Sequence, residues 1–353
     1  MIAATVLMAG CATANKPAAT TAPSPSGSVL ASATSSATPA AGAISCRLPV
    51  AGSNTGNGTP LGFIQLPSGT FQADSTTAIV YDSAAQVSKT TQTPVLHGDS
   101  GATYDRAAAR WLPVAPAQVL ADGSAYVYTR EASPNQAVNE IHLVNVATAT
   151  DRIIYNQGAY DAIAYRPEGV YLAHHLNGTD AANGLWLLDP VSGSLKPYPA
   201  GAQSSWIAIA GGGAWSYSVD GNRFGSSSFA RLELGSGTVA TWYTASSSVQ
   251  PPQSGSRVVR VIGFDRENDP IVEIYTLGGN SPEVLLLTGP SQATTVSGLT
   301  LGDYTPPPSV TDNHGAWVVG LDGVYLYGGK SFQRMAAAPP GWRPDYSVAG
   351  ACG

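Results

Sequence analysis

Seven times between residues 62 and 335 an apolar run meets a short turn of small or polar residues and is followed by a second apolar run. The segments are 62–74 (GFIQLPSGTFQAD), 102–114, 141–155, 185–198, 230–243, 282–296 and 324–335. Most carry Ser-Gly, Gly-Gly or Ala-rich turns between stretches of period-two alternation, the pattern of a β-hairpin. Their centres fall near 67, 107, 148, 191, 236, 289 and 329, so the steps run from about 40 to a little over 50 residues. Gly123, Gly169, Gly213 and Gly315 add a second recurrence, each opening an apolar strand that contains an aromatic. A hairpin cannot bury its own apolar face, so a repeat of this length must be stacked against its neighbours. No 3.6-residue pattern longer than two turns interrupts the series, which excludes a parallel βα fold.

Composition agrees with strands and turns. Gly (39) and Pro (26) are abundant, and only 11% of the 353 residues are charged, against about 25% in ordinary soluble domains. The balance of 17 basic and 23 acidic residues, net −6, with no basic run, carries no electrostatic footprint for nucleic acid.

Two segments resemble known repeats. LADGSAYVYTR (120–130) resembles the strand turn of TolB-like and WD40-like β-propellers. TDNHGAWVVGLDGVYLYGG (311–329) is similar to the blades of regulator-type and streptogramin-lyase-like propellers. The resemblance implies an all-β fold, a β-propeller of about seven four-stranded blades, closed by strands from both termini. Segments 44–50 and 345–352 are the strands expected to complete one blade. Residues 44–353 number 310, about 44 per blade for seven. Six blades is the alternative, because 75–100 is hard to thread.

The N-terminus reads differently. MIAATVLMAGC resembles the end of a bacterial lipoprotein signal, which implies that residues 1–11 are a signal remnant and that Cys11 carries lipid. No Lys or Arg precedes the apolar run; a start upstream would supply one. Residues 12–43 contain 26 Ala, Thr, Ser or Pro out of 32 and are expected to be a disordered linker before the propeller at 44–353. No other stretch approaches the roughly 18 apolar residues that cross a bilayer. With Cys11 lipidated, Cys46 and Cys352 remain at opposite ends of the folded region. An extracytoplasmic compartment permits a disulfide between them, the alternative being two separate buried thiols.

Motifs of reaction chemistry are weak. His97-Gly-Asp-Ser-Gly resembles a serine-protease loop but has Ala102 where a second Gly belongs and no upstream His–Asp partners, so it reads as a loop. His174 and His175 are adjacent on a strand and face opposite sides. FDRENDP (264–270) spaces Asp265, Glu267 and Asp269 as a calcium loop spaces oxygen ligands, yet Pro270 stands where the turn Gly belongs. These three are the metal candidates, with Ca2+ the ion. VDGN (219–222) is a weaker acidic turn, and the sequons at Asn57 and Asn177 read as turns.

Two functional expectations follow. The first is a membrane-tethered binding or scaffold module for a protein or glycan, monomeric, without catalytic residues or cofactor, held at the outer face of the cytoplasmic membrane or the cell surface. The second is a metal-dependent hydrolase or lyase of lactonase type, its axial site assembled from Asp161, His174, Asp265, Glu267 and His314 on separate blades.

Overall fold

A computed structural model describes residues 44–52, 60–77, 79–80, 86–87, 94–95, 101–131, 138–174, 184–198, 204–218, 228–245, 257–276, 282–301, 309–341 and 346–353. Cys11, the linker 12–43, His97, Ser100, His175, the turn 219–222 and both sequons lie outside these residues.

All seven expected hairpins are present. Four blades are four-stranded sheets made of consecutive strands, described here from the inner edge outward. Blade four is Tyr160–Arg166, Gly169–His174, Leu185–Leu188 and Leu195–Tyr198. Blade five is Ser204–Ala210, Gly213–Ser218, Ser228–Glu233 and Val239–Thr244. Blade six is Arg257–Phe264, Pro270–Thr276, Glu283–Gly289 and Gln292–Thr295. Blade seven is Val310–Asp312, Gly315–Gly320, Gly323–Tyr327 and Phe332–Ala337. In blade one, Ser347–Val348 pairs with Cys46–Ala51, which continues to Leu61–Leu66 and Thr70–Ala73. The backbones of Arg47 and Gly353 extend the first pairing to the end of the chain, and a disulfide joins Cys46 to Cys352.

Two blades depart from the four-stranded expectation among the described residues. Blade three has three strands, Ala125–Glu131, Asn139–Asn145 and Thr150–Tyr155. Its inner edge is reduced to a bridge from Val119 to Tyr126, because Pro116–Gln118 winds into a short 3-10 turn. Blade two is the hairpin Thr103–Asp105 with Arg110–Leu112, flanked by a bridge from Ile79 to Trp111; Gln86–Val87 and Pro94–Val95 form a separate pair. No helix of the described residues is long and apolar enough to cross a membrane.

The core is divided among the seams. Seven apolar clusters each join two successive blades, and the seventh packs Trp317, Val319 and Leu326 of blade seven against Leu48, Val50 and Ile64 of blade one. A seventh seam returning to the first blade requires seven blades, which settles the alternative of six. Large side chains fill the seams: Trp215 stacks on Phe229 at 5.2 Å and meets Trp242 edge-on at 4.7 Å. Burying one side chain of this size stabilises by roughly 2–3 kcal/mol.

The hairpin turns share one device. The residue near the start of each outer strand has a positive φ: Gly69, Ala109, Ala149, Gly193, Gly237, Ser291 and Gly329. A left-handed residue after a type I turn matches the twist of the paired strands. Three turns add hydroxyl pairs, Thr148–Thr150, Ser192–Ser194 and Ser236–Thr238, at 2.9, 3.0 and 3.0 Å. They recur at intervals of 44 residues.

Candidate binding face

Antiparallel blades sort their connections by length. Links between first and second strands, and between third and fourth, emerge on one face. There the longest is 189–194, six residues, and most are tight turns. Links between second and third strands, and between blades, emerge on the other face. These include 175–184, 245–256 and 296–309, which are ten, twelve and fourteen residues long. Binding residues concentrate on long loops held by a rigid scaffold, so the second face is the candidate surface.

At the loop face of the seam between blades three and four, four rings meet. Tyr155 ends the outer strand of blade three, Tyr160 begins the inner strand of blade four, and His174 is its register partner on the next strand. Trp186 stands one strand further out. Tyr160 is the hub: its ring lies 5.7 Å from Tyr155, 5.2 Å from His174 and 5.8 Å from Trp186, each close to edge-on. All four side chains are half-buried. Burial, with Tyr155 adding to it, pushes the Tyr160 phenol above its ordinary range.

The backbone beneath the cluster is held tightly. Asn139, only 6% exposed, donates from Nδ2 to the Tyr160 carbonyl at 3.1 Å and to Asp161 Oδ1 at 3.3 Å. Its own N–H donates to the Gly158 carbonyl at 2.9 Å. One residue further along the strand, the Ala162 N–H donates to Thr129 Oγ1 at 2.8 Å, and Gln118 Nε2 donates to the Ala162 carbonyl at 3.0 Å. Gly184, at φ +93°, lies against the indole; a Cβ there would sit 3.2 Å from Trp186 Nε1.

The metal candidates fall elsewhere. Asp265 closes the tight turn between the first two strands of blade six, where its Oδ1 accepts the N–H groups of Glu267 and Asp269 at 3.0 and 2.8 Å. Burial, reinforced by the charges of Glu267 and Asp269, pushes the Asp265 carboxyl up to about 6. Asn268 takes the left-handed conformation that lets five residues close this turn. His314 occupies the equivalent turn of blade seven, beside Asp312. Asp161 and His174 lie at the other end of the strands. A strand of six or seven residues separates the two faces by roughly 20 Å, so the five residues expected at one axial site stand in two groups. Among the described residues no three His, Cys, Asp or Glu side chains are placed to hold a metal ion.

Two buried polar groupings were not legible in the sequence. His142 lies between carboxylates: Nδ1 is 2.8 Å from Asp151 Oδ1 and Nε2 is 3.2 Å from Glu140 Oε2. Tyr128 stacks on its ring at 4.6 Å and donates to Asp151 Oδ2 at 2.8 Å. In blade six Arg260 pairs across the strands with Glu273, 1% exposed, at 2.9 Å, and its guanidinium lies 4.0 Å from the Tyr275 ring centre. The neighbouring Tyr217 phenol accepts the Val261 N–H at 2.6 Å and is pushed up to about 12, mainly by burial. Both groupings join residues on paired strands, and only the register reveals them.

Comparison with known proteins bears on architecture alone. No family model matches the chain, and no curated protein matches its sequence. Among solved structures, TolB from Acinetobacter baumannii superposes with a TM-score of 0.46 at 13% identity, covering 87% of this chain and 67% of that one. An oligogalacturonate lyase in complex with manganese gives 0.44 at 10% identity, covering 85% and 80%. The β-propeller domain of the Trilobed protease from Pyrococcus furiosus gives 0.44 at 9%, covering 83% and 86%. The blade arrangement described above rests on the strand pairing of this chain itself.

Proposed function

We propose that this chain is a membrane-tethered, extracytoplasmic β-propeller that binds a protein or glycan partner through its loop face. The observation that carries the reading is the sorting of connections in the four-stranded blades four to seven, with the long links 175–184, 245–256 and 296–309 on one face and tight turns on the other. The disulfide between Cys46 and Cys352 supports an oxidising compartment. A lipid on Cys11, joined to the propeller through the Ala/Thr/Ser/Pro-rich segment 12–43, would hold the domain at a membrane surface.

Photo-crosslinking in cells tests the binding face. A diazirine side chain is placed at Asn156 or Leu321, exposed on the loop face, and at Val191 or Ser236, exposed on the turn face. Adducts are expected from the loop-face positions alone; adducts from the turn face, or equally from both, would overturn the assignment. Cys11→Ser tests the tether separately and is expected to release the protein from the membrane fraction.

A further inference from the structure

The chain contains two Asp-Pro bonds, Asp189–Pro190 and Asp269–Pro270, both in links of the turn face. Such a bond is acid-labile in any polypeptide. The aspartic side chain reaches its own carbonyl carbon through a five-membered ring, and proline leaves as a basic secondary amine. The reaction needs a carboxyl free to turn onto its own main chain. Asp189 lacks that freedom: Oδ1 accepts the N–H groups of Val191 and Ser192 at 2.8 and 3.3 Å, and Oδ2 accepts the Ser192 hydroxyl at 2.8 Å. The bonds from Val191 and Ser192 hold this carboxyl below its ordinary range, as an anion. Asp269 differs, because the duty of closing its turn falls to Asp265, whose Oδ1 takes the N–H groups of Glu267 and Asp269. The Asp269 carboxyl itself accepts no hydrogen bond and has no ion pair among the described residues. Burial, with the charge of Glu267 adding to it and Arg231 of blade five opposing, raises this carboxyl above its ordinary range. The other titratable groups that sense it are Asp265 on the same turn and the Tyr327 phenol of blade seven. Both scissile carbonyls are polarised alike, Asp269 O by the Asp265 N–H and Asp189 O by the Gly193 N–H, each at 2.9 Å. The two bonds are therefore distinguished by their carboxyls.

We infer that Asp269–Pro270 is a self-cleaving peptide bond, which breaks in acidic surroundings and turns the propeller into two chains. The carboxylic acid of Asp269 attacks the Asp269 carbonyl carbon. A C–O bond forms as the C–N bond to Pro270 breaks, and the acid's proton passes to the proline nitrogen. One water then opens the cyclic anhydride, leaving Asp269 as a new C-terminus; nothing is oxidised or reduced. Asn268, at φ +65°, and the pairing of Phe264 with Pro270 hold the main chain on both sides of the bond, so attack requires rotation of the Asp269 side chain alone. The two parts, 1–269 and 270–353, each contain one cysteine of the Cys46–Cys352 disulfide and stay joined by it. Scission thus opens the turn between the first two strands of blade six, on the face opposite the long loops, without releasing either part.

The test uses the oxidised, intact chain held at pH 4.5 and at pH 7.5 and followed over time by gels and mass spectrometry. At pH 4.5 a reducing gel is expected to resolve one part ending at Asp269 and another beginning at Pro270. A non-reducing gel of the same sample should show a single band. At pH 7.5 scission should be at least tenfold slower. In the folded chain Asp189–Pro190 should also break at least tenfold more slowly than Asp269–Pro270. Concentrated urea at pH 4.5, with the disulfide intact, should bring the two rates together, because the hydrogen bonds that separate the two carboxyls are then lost. Asp269→Glu keeps the charge but needs a six-membered anhydride, and should stop scission at this bond; Asp189→Ala should leave it unchanged. A folded chain that stays whole at Asp269–Pro270, or that breaks equally fast at both bonds, overturns the self-cleaving bond. So does a cut that survives Asp269→Glu, which would mark a contaminating protease. Comparing folded with unfolded wild type keeps the question answerable if the variant misfolds.

Discussion

Asp312 Oδ2 accepts the backbone N–H of Cys352 at 2.8 Å. The same oxygen accepts the Trp317 indole N–H at 2.8 Å, and Oδ1 accepts the His314 N–H at 2.8 Å. With a side chain only 6% exposed, one carboxylate thus ties the inner hairpin of blade seven to the C-terminal segment that follows the first strand of blade one. Asp312→Ala leaves two buried N–H groups without an acceptor and is expected to destabilise by about 2–4 kcal/mol. Asp312→Asn, which keeps one oxygen, should lose less. Urea denaturation at pH 7 with the disulfide intact measures both.

The disulfide spans 306 residues of chain between Cys46 and Cys352. In the chain-entropy account a closure of that length contributes roughly 5 kcal/mol, although measured contributions often fall short. Replacing both cysteines by Ser is expected to lower the denaturation midpoint by an amount equal to about 2–5 kcal/mol. The pairing of Ser347–Val348 with Cys46–Ala51 would then have to hold the two ends alone. A double variant as stable as the wild type would show that the strand pairing suffices.

Asp265 makes a prediction of unusual sign. Its carboxyl is raised from 3.8 to about 6, so the folded state holds the proton more tightly than the unfolded one. The stability this contributes is complete below about pH 4 and is lost as pH rises through 6. Asp265→Asn keeps an oxygen for the Glu267 and Asp269 N–H groups and removes the buried charge. Relative to the wild type it should be neutral at pH 4 and stabilised by about 1–2 kcal/mol at pH 8, a value reduced for partial solvation. Thermal melts across that range give the difference. Millimolar calcium should leave both midpoints unmoved, because Oδ1 is committed to two amides. A calcium-dependent rise that Asp265→Asn abolishes would restore the turn as a metal site.

The hairpin turns offer an internal control. Ala149 and Gly193 occupy the same position 44 residues apart, at φ +53° and +71°. A left-handed Ala is strained by roughly 1 kcal/mol. Ala149→Gly should therefore be neutral to stabilising by up to about 1 kcal/mol, the relief being partly offset by a freer unfolded chain, whereas Gly193→Ala should destabilise by about 1 kcal/mol. Equal effects of the same sign would mean that the two turns are not equivalent.

How much was legible follows from how local each signal is. The hairpin of 185–198 could be read because Leu185–Leu188, a turn closed by Asp189 and Gly193, and Leu195–Tyr198 are contiguous and carry their own register. Blade three misled, because Pro116 turns a segment that would otherwise complete its inner strand. Asp265, Glu267 and Asp269 resembled a cation loop because the spacing of acids is also the spacing of a five-residue turn, and only the backbone shows which use prevails. The ring cluster gave no signal: Tyr155 and Trp186 are 31 residues apart, on different blades, and a tyrosine at a strand end looks the same whether it packs or binds.

The sequence by itself determined the repeat, the hairpins and the class of fold, since alternation, turn residues and spacing act over a few residues. The tertiary structure alone decided the count of seven, through the seam that brings Trp317 of the last blade against Leu48 and Ile64 of the first. It also decided that Asp161 and His174 lie at one end of the blades and Asp265 and His314 at the other. That sorting depends on strand direction within a closed ring, and no stretch of chain short enough to be read alone contains it.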